Sequence, residues 1–564
     1  MLFPPPRTCR CVASILLLGA VLSLPFTPQS LGEPLGAATS VDAAPDSIHL
    51  GVVWTPPRHP GPAVRSLRRI HAHGANAVRL TRIPTSDAVF AQADSLDLHL
   101  YVDLPISFVS ATSLDTTLAE ARPQLERILE LADRHSSLKY VGLADHVDTT
   151  VPSACKTLSE WTTRVHDAQA SLQTYYVTPF RAAADACDDA VDRPLIATHG
   201  QLHPVRRWRT WNQKRPGTGI GTLGTWMRPK APSGLRSPHS IERQARYLEK
   251  AFSNLLSSPS PTAVFVYRWN DRSPSTLPSR RYGLIDTSGA PRPAADVVRG
   301  FFTSEQRVFA FPDGQAPSSM PVPVIVFGWT VVLIVAGLYA ASPFFRQTSV
   351  RYFRAHAFYL DAVRQGRDVR SLPNVALLFV VTGTVGTITT LGARMIDDHP
   401  PSEFLIAALP SRPGSHLAHA LSSPYEAGLV AALVTLAALT LWMGLLTVSA
   451  GWKRIFSPSQ ALMLVVWPFW PVLFGGIVAL VAAAESPIPR SVVAVLLCVG
   501  GVGTIVTATV RVLYDYRKVT KIPILIVLVL ALASPLVLLG VAVGALLTQY
   551  EIPLQLLWHL MVHT

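Results

Sequence analysis

The sequence predicts two fold classes in one chain: an α/β domain closed as a TIM-like (β/α)8 barrel over residues 45–302, and a membrane all-α domain of about six helices over residues 323–564. Three observations predict this. In the first half, apolar runs of strand length alternate with amphipathic runs of helix length, the pattern of a parallel sheet with crossover helices. Charged residues are only 15% of the 564, yet they are spread through residues 45–302 and nearly absent from several long runs between 323 and 548. The loops between those runs alternate between basic and neutral or acidic.

The barrel elements follow in order. Ser47–Trp54 (SIHLGVVW) reads as the first strand, with a helix over Gly61–His73. Asn76–Leu80 is the second strand and Leu98–Leu104 the third. Leu118–His135 is a strongly periodic helix, Leu138–Ala144 the fourth strand, and Trp161–Ala190 is expected to be mostly helical. Pro194–Thr198 is taken as the fifth strand, Gly219–Trp226 as the seventh, Ser240–Leu256 as a helix and Ala263–Trp269 as the last strand. The sixth strand should fall within Arg206–Pro216, where no strand pattern is visible.

The N-terminus reads as an export signal with a linker, residues 1–44: Arg7 and Arg10 precede the apolar stretch Val12–Phe26, and small and polar residues follow. Export permits a disulfide between Cys155 and Cys187, and two separate thiols are the open alternative. A Pro-, Ser- and Gly-rich linker covers residues 303–322. Six stretches are then long enough to cross roughly 30 Å of hydrocarbon: 323–342, 374–393, 427–450, 461–484, 491–510 and 522–548. Their cores hold no Asp, Glu, Lys or Arg, which argues against ion-coupled transport. Pro468, Pro471 and Pro535 should kink their helices, and Gly475, Gly476, Gly500 and Gly501 should permit close helix contact.

Arginines 346, 351, 354, 364, 367 and 370 follow the first span, whereas Asp397, Asp398, Glu403 and Glu426 outweigh Arg394 and Arg412 after the second. Lys453 and Arg454 follow the third, and Arg511, Arg517, Lys518 and Lys521 the fifth. Basic loops face the cytoplasm, so the barrel and the C-terminus come out on the periplasmic or extracellular side. Residues 351–369 are expected to form one helix lying on the cytoplasmic surface. The net charge of +13 is therefore read as orienting the helices in a lipid bilayer, not as binding nucleic acid.

Three pieces carry a family resemblance: GANAVRL at Gly74–Leu80 with the following Pro84, YRWNDR at Tyr267–Arg272, and YGLIDTSGAPRPAADVVRGFF from Tyr282. In this order and spacing they resemble the barrel of glycoside hydrolases of the β-galactosidase and β-glucuronidase kind (family 2 type). The resemblance implies two carboxylates about 5 Å apart, one acid/base and one nucleophile. It places an Asn-Glu pair at the end of the fourth strand, where this chain has Asp145 and His146. It places a glutamate at the end of the seventh, where Thr222 stands nearest. The glutamates at 120, 126, 130, 160, 242 and 249 all fall on predicted helices, so the usual pair is missing and the domain reads as a pseudoenzyme.

A residual site remains, because Asp103, Asp145, His146, His199, Asn270 and Asp271 fall at strand C-terminal ends, which face a barrel's mouth. Asp145 could serve as a general acid and His146 or His199 as a base; polar rim residues without a role are the alternative. Trp54, Trp226 and Trp269 could stack on sugar rings or be buried aromatics, and Arg79 matches the family's site-bracing arginine or makes a structural ion pair. No metal or other cofactor is expected, since the histidines show no ligand spacing. The preferred expectation is binding of a glycan or cell-envelope polymer, or a scaffold role. The alternatives are an active glycosidase or transglycosidase around Asp145 and a membrane assembly or transport component with unidentified membrane partners.

Overall fold

The computed structural model describes residues 48–256, 260–271, 277–316, 322–397, 402–450, 456–483, 490–549 and 553–563. The expected export segment lies outside them. Eight parallel strands close into a barrel in sequence order: β1 (His49–Trp54), β2 (Ala77–Leu80), β3 (His99–Asp103), β4 (Leu138–Asp145), β5 (Gln173–Thr178), β6 (Arg193–Ala197), β7 (Gly219–Leu223) and β8 (Ala263–Tyr267). Closure is made by β8 pairing with β1 along His49–Val53. The covering helices are α1 (Pro60–Ala72), α2 (Ala88–Ser95), α3 (Leu114–Glu120), α4 (Arg122–Arg134), α5 (Pro152–Ala168), α6 (Pro204–Lys214), α7 (Ile241–Leu255) and α8 (Pro293–Phe302).

Each helix buries residues at helical spacing. In α1 they are Ala63, Leu67 and Ile70; in α4, Leu125, Ile128 and Leu131. Ser240 caps α7 by accepting from the Arg243 backbone N–H. Gly74 closes the turn from α1 to β2 with φ +82°, and a Cβ there would stand 3.0 Å from Phe302. Inside the barrel, Tyr101 and Tyr140 stack at 3.9 Å among Tyr175, Leu195 and Phe265, so the lower interior is filled with side chains.

The strand count corrects the sequence reading in one place. Residues 161–190 are not one helix: α5 ends at Ala168, and Gln173–Thr178 (QTYYVT) forms β5. Its aromatic and β-branched run suits a strand buried on both faces, with Tyr175 and Val177 in the barrel interior and Thr174 and Tyr176 covered from outside. The strand expected as the fifth, at Pro194, is therefore the sixth, and Arg206–Pro216 holds α6, not a strand. The glutamates at 120, 126, 130, 160, 242 and 249 do lie on helices. Cys155 and Cys187 are joined as a disulfide, tying the first turn of α5 to the loop after β5. Residues 306–316, after α8, form neither helix nor strand, and they do more than link. Phe309 enters the barrel core, and Leu235 and Arg236 donate their backbone N–H groups to Pro312 and Asp313.

The helical region begins with α9 (Val322–Ala341), α10 (Pro343–Arg354), α11 (His356–Gln365) and α12 (Ser371–Asp397), followed by two short helices, α13 (Ser402–Ala407) and α14 (Ser411–Ser422). Then come α15 (Pro424–Ala450), α16 (Pro458–Val466), a 3-10 turn at Trp467–Phe469, α17 (Val472–Ala483), α18 (Arg490–Thr520), α19 (Ile524–Leu532), α20 (Pro535–Gln549) and α21 (Leu554–His563). Among the described residues, α9, α12 and α15 are long and apolar enough to cross a membrane. The pair α16–α17, bent by 40° at its break, makes a fourth if it counts as one span.

The last two expected spans are helical, but the sixth is broken at Ala533–Ser534 into α19 and α20, with Pro535 opening the second piece. The expected single surface helix at 351–369 is two helices, parted at Ala355, and Tyr359 and Val363 of the second are buried. Gly476 is a close-approach position, since a Cβ would meet Thr384 at 2.5 Å. Gly500 and Gly501 are not: nothing lies within 4 Å.

Candidate functional site

β2, β3, β4, β6 and β7 each place a polar side chain at or just beyond their C-terminal ends, at the mouth of the barrel. Arg79 of β2 is 1% exposed and is the centre of the arrangement. Its Nε donates to Asp103 Oδ1 at 3.1 Å, its Nη2 lies 2.8 Å from Asp103 Oδ2, and Nη1 donates to the Gly221 carbonyl at 3.2 Å. The same Nη2 is 3.2 Å from Asp145 Oδ2. One guanidinium therefore serves both strand-end carboxylates. Tyr175 donates its hydroxyl to Asp103 Oδ1 at 2.6 Å. Gly142 makes room for that contact, because a Cβ there would lie 2.6 Å from the Asp103 carboxylate.

Asp145 Oδ1 is 2.7 Å from His146 Nδ1, and His199 Nδ1 is 2.8 Å from Thr222 Oγ1. His146 and Phe108 both have left-handed backbones, φ +58° and +57°, and their rings stack at 4.9 Å. These two conformations are held by backbone pairing: Phe108 N–H donates to Asp145, and His146 N–H donates to Val177. His146 Nε2 is buried and has no hydrogen-bond partner among the described residues.

The electrostatics differ across the group. Burial works against ionisation of both aspartates. For Asp103 burial wins, and its carboxyl sits above the usual carboxylate range despite Arg79. For Asp145 the neighbouring His146 and Arg79 outweigh burial and hold it well below that range. Burial, reinforced by His146, pushes His199 well below the ordinary histidine value, so it is neutral in the fold. An unfolded chain would still protonate at His199 as pH falls past about 6.5. Stability contributed through His199 is thus undiminished above that pH and is lost below it, by at most about 1.4 kcal/mol per pH unit. We expect the difference in unfolding free energy between wild type and His199→Gln to shrink progressively from pH 7 to pH 5; a pH-independent difference in chemical unfolding would contradict the assignment.

These side chains line one cavity of about 340 Å3. Of the residues expected from sequence, Arg79, Asp103, Asp145, His146, His199 and Thr222 are there. Five others are not. Trp54 is buried in the barrel core. Trp226 is covered by the Arg280 guanidinium at 4.0 Å and stacked on His239 at 4.7 Å. Trp269 packs edge-on against His73. None of the three offers a free stacking face in the cavity. Asn270 pairs through its backbone with Ile285, and Asp271 binds Arg292 and the Gly283 N–H, so both brace the segment after β8.

The sequence reading missed Phe108, Tyr267 and Arg268 and, above all, Glu403, Phe404 and Ala407, which come from α13 of the helical region. Glu403 accepts from the Tyr282 hydroxyl and is ion-paired with Arg280 at 3.6 Å. The Phe404 ring lies 4.8 Å from His146 and 5.1 Å from His199, and packs with Phe180, Leu556 and Leu560. Arg228 and Ser279 both bind Asp397 at 2.8 Å, and His559 of α21 binds Asp148 at 2.9 Å. The mouth is therefore roofed by α13 and flanked by α21. Among the described residues no cluster of His, Cys, Asp or Glu is placed to hold a metal ion.

No protein-family model matches this sequence, and a comparison with curated protein sequences finds no match either. Solved structures similar to it include a GH2 β-galacturonidase from Eisenbergiella tayi bound to galacturonate: 14% identity, 43% of this chain, 47% of that one, TM-score 0.39. An FMN-binding β-glucuronidase from Faecalibacterium prausnitzii L2-6 gives 16% identity, 45% and 44% coverage, and TM-score 0.40. A β-glucuronidase from an uncultured Clostridium gives 13% identity, 46% and 50% coverage, and TM-score 0.40. This chain spans about half the length of each.

Proposed function

We propose that this chain is a multi-pass membrane protein whose barrel, held on the periplasmic or extracellular face, binds a carbohydrate unit of a glycan or envelope polymer in the roofed mouth, as a receptor or scaffold and not as a hydrolase. The observation that carries this reading is the sharing of Arg79 by Asp103 and Asp145. Glycosidic cleavage by two carboxyl groups needs one proton donor and one free base or nucleophile facing each other across the bond. Here both oxygens of Asp103 are engaged by Arg79 and Tyr175, and Asp145 is held ionised between His146 and Arg79. The cavity, lined by aromatic rings and a few convergent charges, has the make-up of a small-ligand pocket.

The membrane placement is supported by the agreement of two independent features. The loop and C-terminus assigned by charge to the outer face are the segments that touch the barrel mouth, through Asp397, Glu403 and His559. A second reading, an active enzyme in which Asp145 orients His146 as a base, is favoured by the unpartnered His146 Nε2. The test uses the full chain in detergent. Calorimetric titration with neutral hexoses, N-acetylhexosamines and uronic acids should show heat for at least one, abolished by Asp145→Asn, while a panel of aryl glycosides releases no aryl alcohol. Release that disappears in Asp145→Asn would replace binding with catalysis, and heat from none of the sugars would remove the carbohydrate reading.

A further inference from the structure

The loops that follow parallel barrel strands all emerge at one end. In this chain that end is where the helical region docks. The loop after β4 reaches His559, the loop after β5 reaches His563 through Arg181, the loop after β7 reaches Asp397 through Arg228, and the loop after β8 reaches Asp397 and Glu403. The loop after β6 behaves differently. Its base touches Phe404 through His199, but its tip carries Leu202, which is 82% exposed, the most exposed of the large apolar side chains among the described residues. Behind Leu202 runs a groove of about 520 Å3 between α6 and α7. It is lined by His203, Arg206, Arg209 and Lys250, all exposed, and by no residue of the helical region. No carboxylate lines it, and among the described residues no ion pair engages its three permanent cations.

An exposed leucine ringed by cations, on the rim that faces the docked helices, has a specific chemistry. Acyl chains at the edge of a leaflet accept an apolar side chain, and phosphate groups above them attract Arg and Lys. α13 lies in the chain between α12 and α15, two helices long and apolar enough to span; with those two in a bilayer, the mouth that α13 roofs would lie at the bilayer surface. We infer that the rim at Leu202, with Arg206, Arg209 and Lys250, is a seat for anionic phospholipid headgroups of the outer leaflet. The inference rests on the reading that the long apolar helices span a bilayer. It gives the barrel a second hold on the membrane, at a part of the rim that the helical region leaves uncovered, and so fixes its tilt over the surface.

The test places a nitroxide at Leu202→Cys in the full chain, with Cys9, Cys11 and Cys498 replaced by serine and the Cys155–Cys187 bridge left intact. A second label at Val332→Cys, an exposed position on α9, reports whether that helix is in lipid. The chain is placed in nanodiscs of phosphatidylcholine and of phosphatidylglycerol, and collision with oxygen is compared with collision with a water-soluble nickel chelate. The expected result is an oxygen-dominated signal at 332 in both lipids. At 202 the ratio of oxygen to nickel collision should rise several-fold in phosphatidylglycerol over phosphatidylcholine, and that rise should vanish in Arg206→Glu/Arg209→Glu/Lys250→Glu. A nickel-dominated signal at 202 in both lipids, with 332 in lipid, overturns the inference and leaves the spanning reading intact. Immersion at 202 that ignores both lipid charge and the triple reversal overturns the headgroup assignment. A nickel-dominated signal at 332 overturns the spanning reading and the inference together.

Discussion

Replacing Arg79 by methionine should destabilise the barrel by about 3–5 kcal/mol, the usual result of removing one partner from a buried ion pair. Methionine fills much of the same volume, so the loss would be electrostatic and not a cavity effect. Asp103, its side chain 7% exposed, and Asp145, 26% exposed, would then share the mouth without a counter-charge. Arg79→Met/Asp103→Asn should recover a large part of the loss, because the amide keeps the shape and can still accept from Tyr175 without bringing charge. The measurement is chemical unfolding of the full chain followed by near-ultraviolet circular dichroism, which reports the packed Tyr101–Tyr140–Tyr175 cluster. A single substitution costing under about 1 kcal/mol would mean that the two aspartates are not held by Arg79 in solution.

Phe404→Ala should undock the roof of the barrel mouth. Truncating a buried phenylalanine typically costs about 3–5 kcal/mol, and here the cost falls on the docking of α13 and α21, since Phe404 packs with Phe180 of the barrel and with Leu556 and Leu560. Deuterium uptake across residues 402–422 and 554–563 should rise sharply while the barrel strands keep their protection. Glu403→Gln should have a smaller effect in the same direction, because glutamine keeps a hydrogen bond with Tyr282 but loses the charge that faces Arg280. Coupling between Glu403→Ala, which removes the acceptor, and Tyr282→Phe of about 1.5–3 kcal/mol would fit a hydrogen bond to a charged group. If uptake in these segments is unchanged by Phe404→Ala, the roof is not held by the contacts described.

Both expectations concern contacts of different legibility. Asp103, Asp145, His146 and His199 are readable because each falls at or just beyond the end of a strand, and strand ends in a parallel barrel share one mouth, whereas Arg79 and Thr222 are legible through the family resemblance. β5 was missed because the periodicity of α5 was carried past Ala168, although the run Thr174–Thr178 holds two tyrosines and a valine. Sequence leaves the tryptophans open between platform and core. Side-chain type does not say which face of a strand end is roofed, and the cover over Trp226 comes from Arg280 and His239.

The alternation of strands and helices, the absence of glutamates from the strand ends and the charge pattern of the loops are all written in the order of residues. Those are local properties, written in spacing and composition. That Glu403 and Phe404 enter the mouth follows from folding in three dimensions. Tyr282 and Glu403 lie 121 positions apart, and Glu403 had been legible only as a loop charge. Periodicity reports which side of an element seeks cover. It does not report what covers it, because that depends on docking free energy between surfaces that share no local signal.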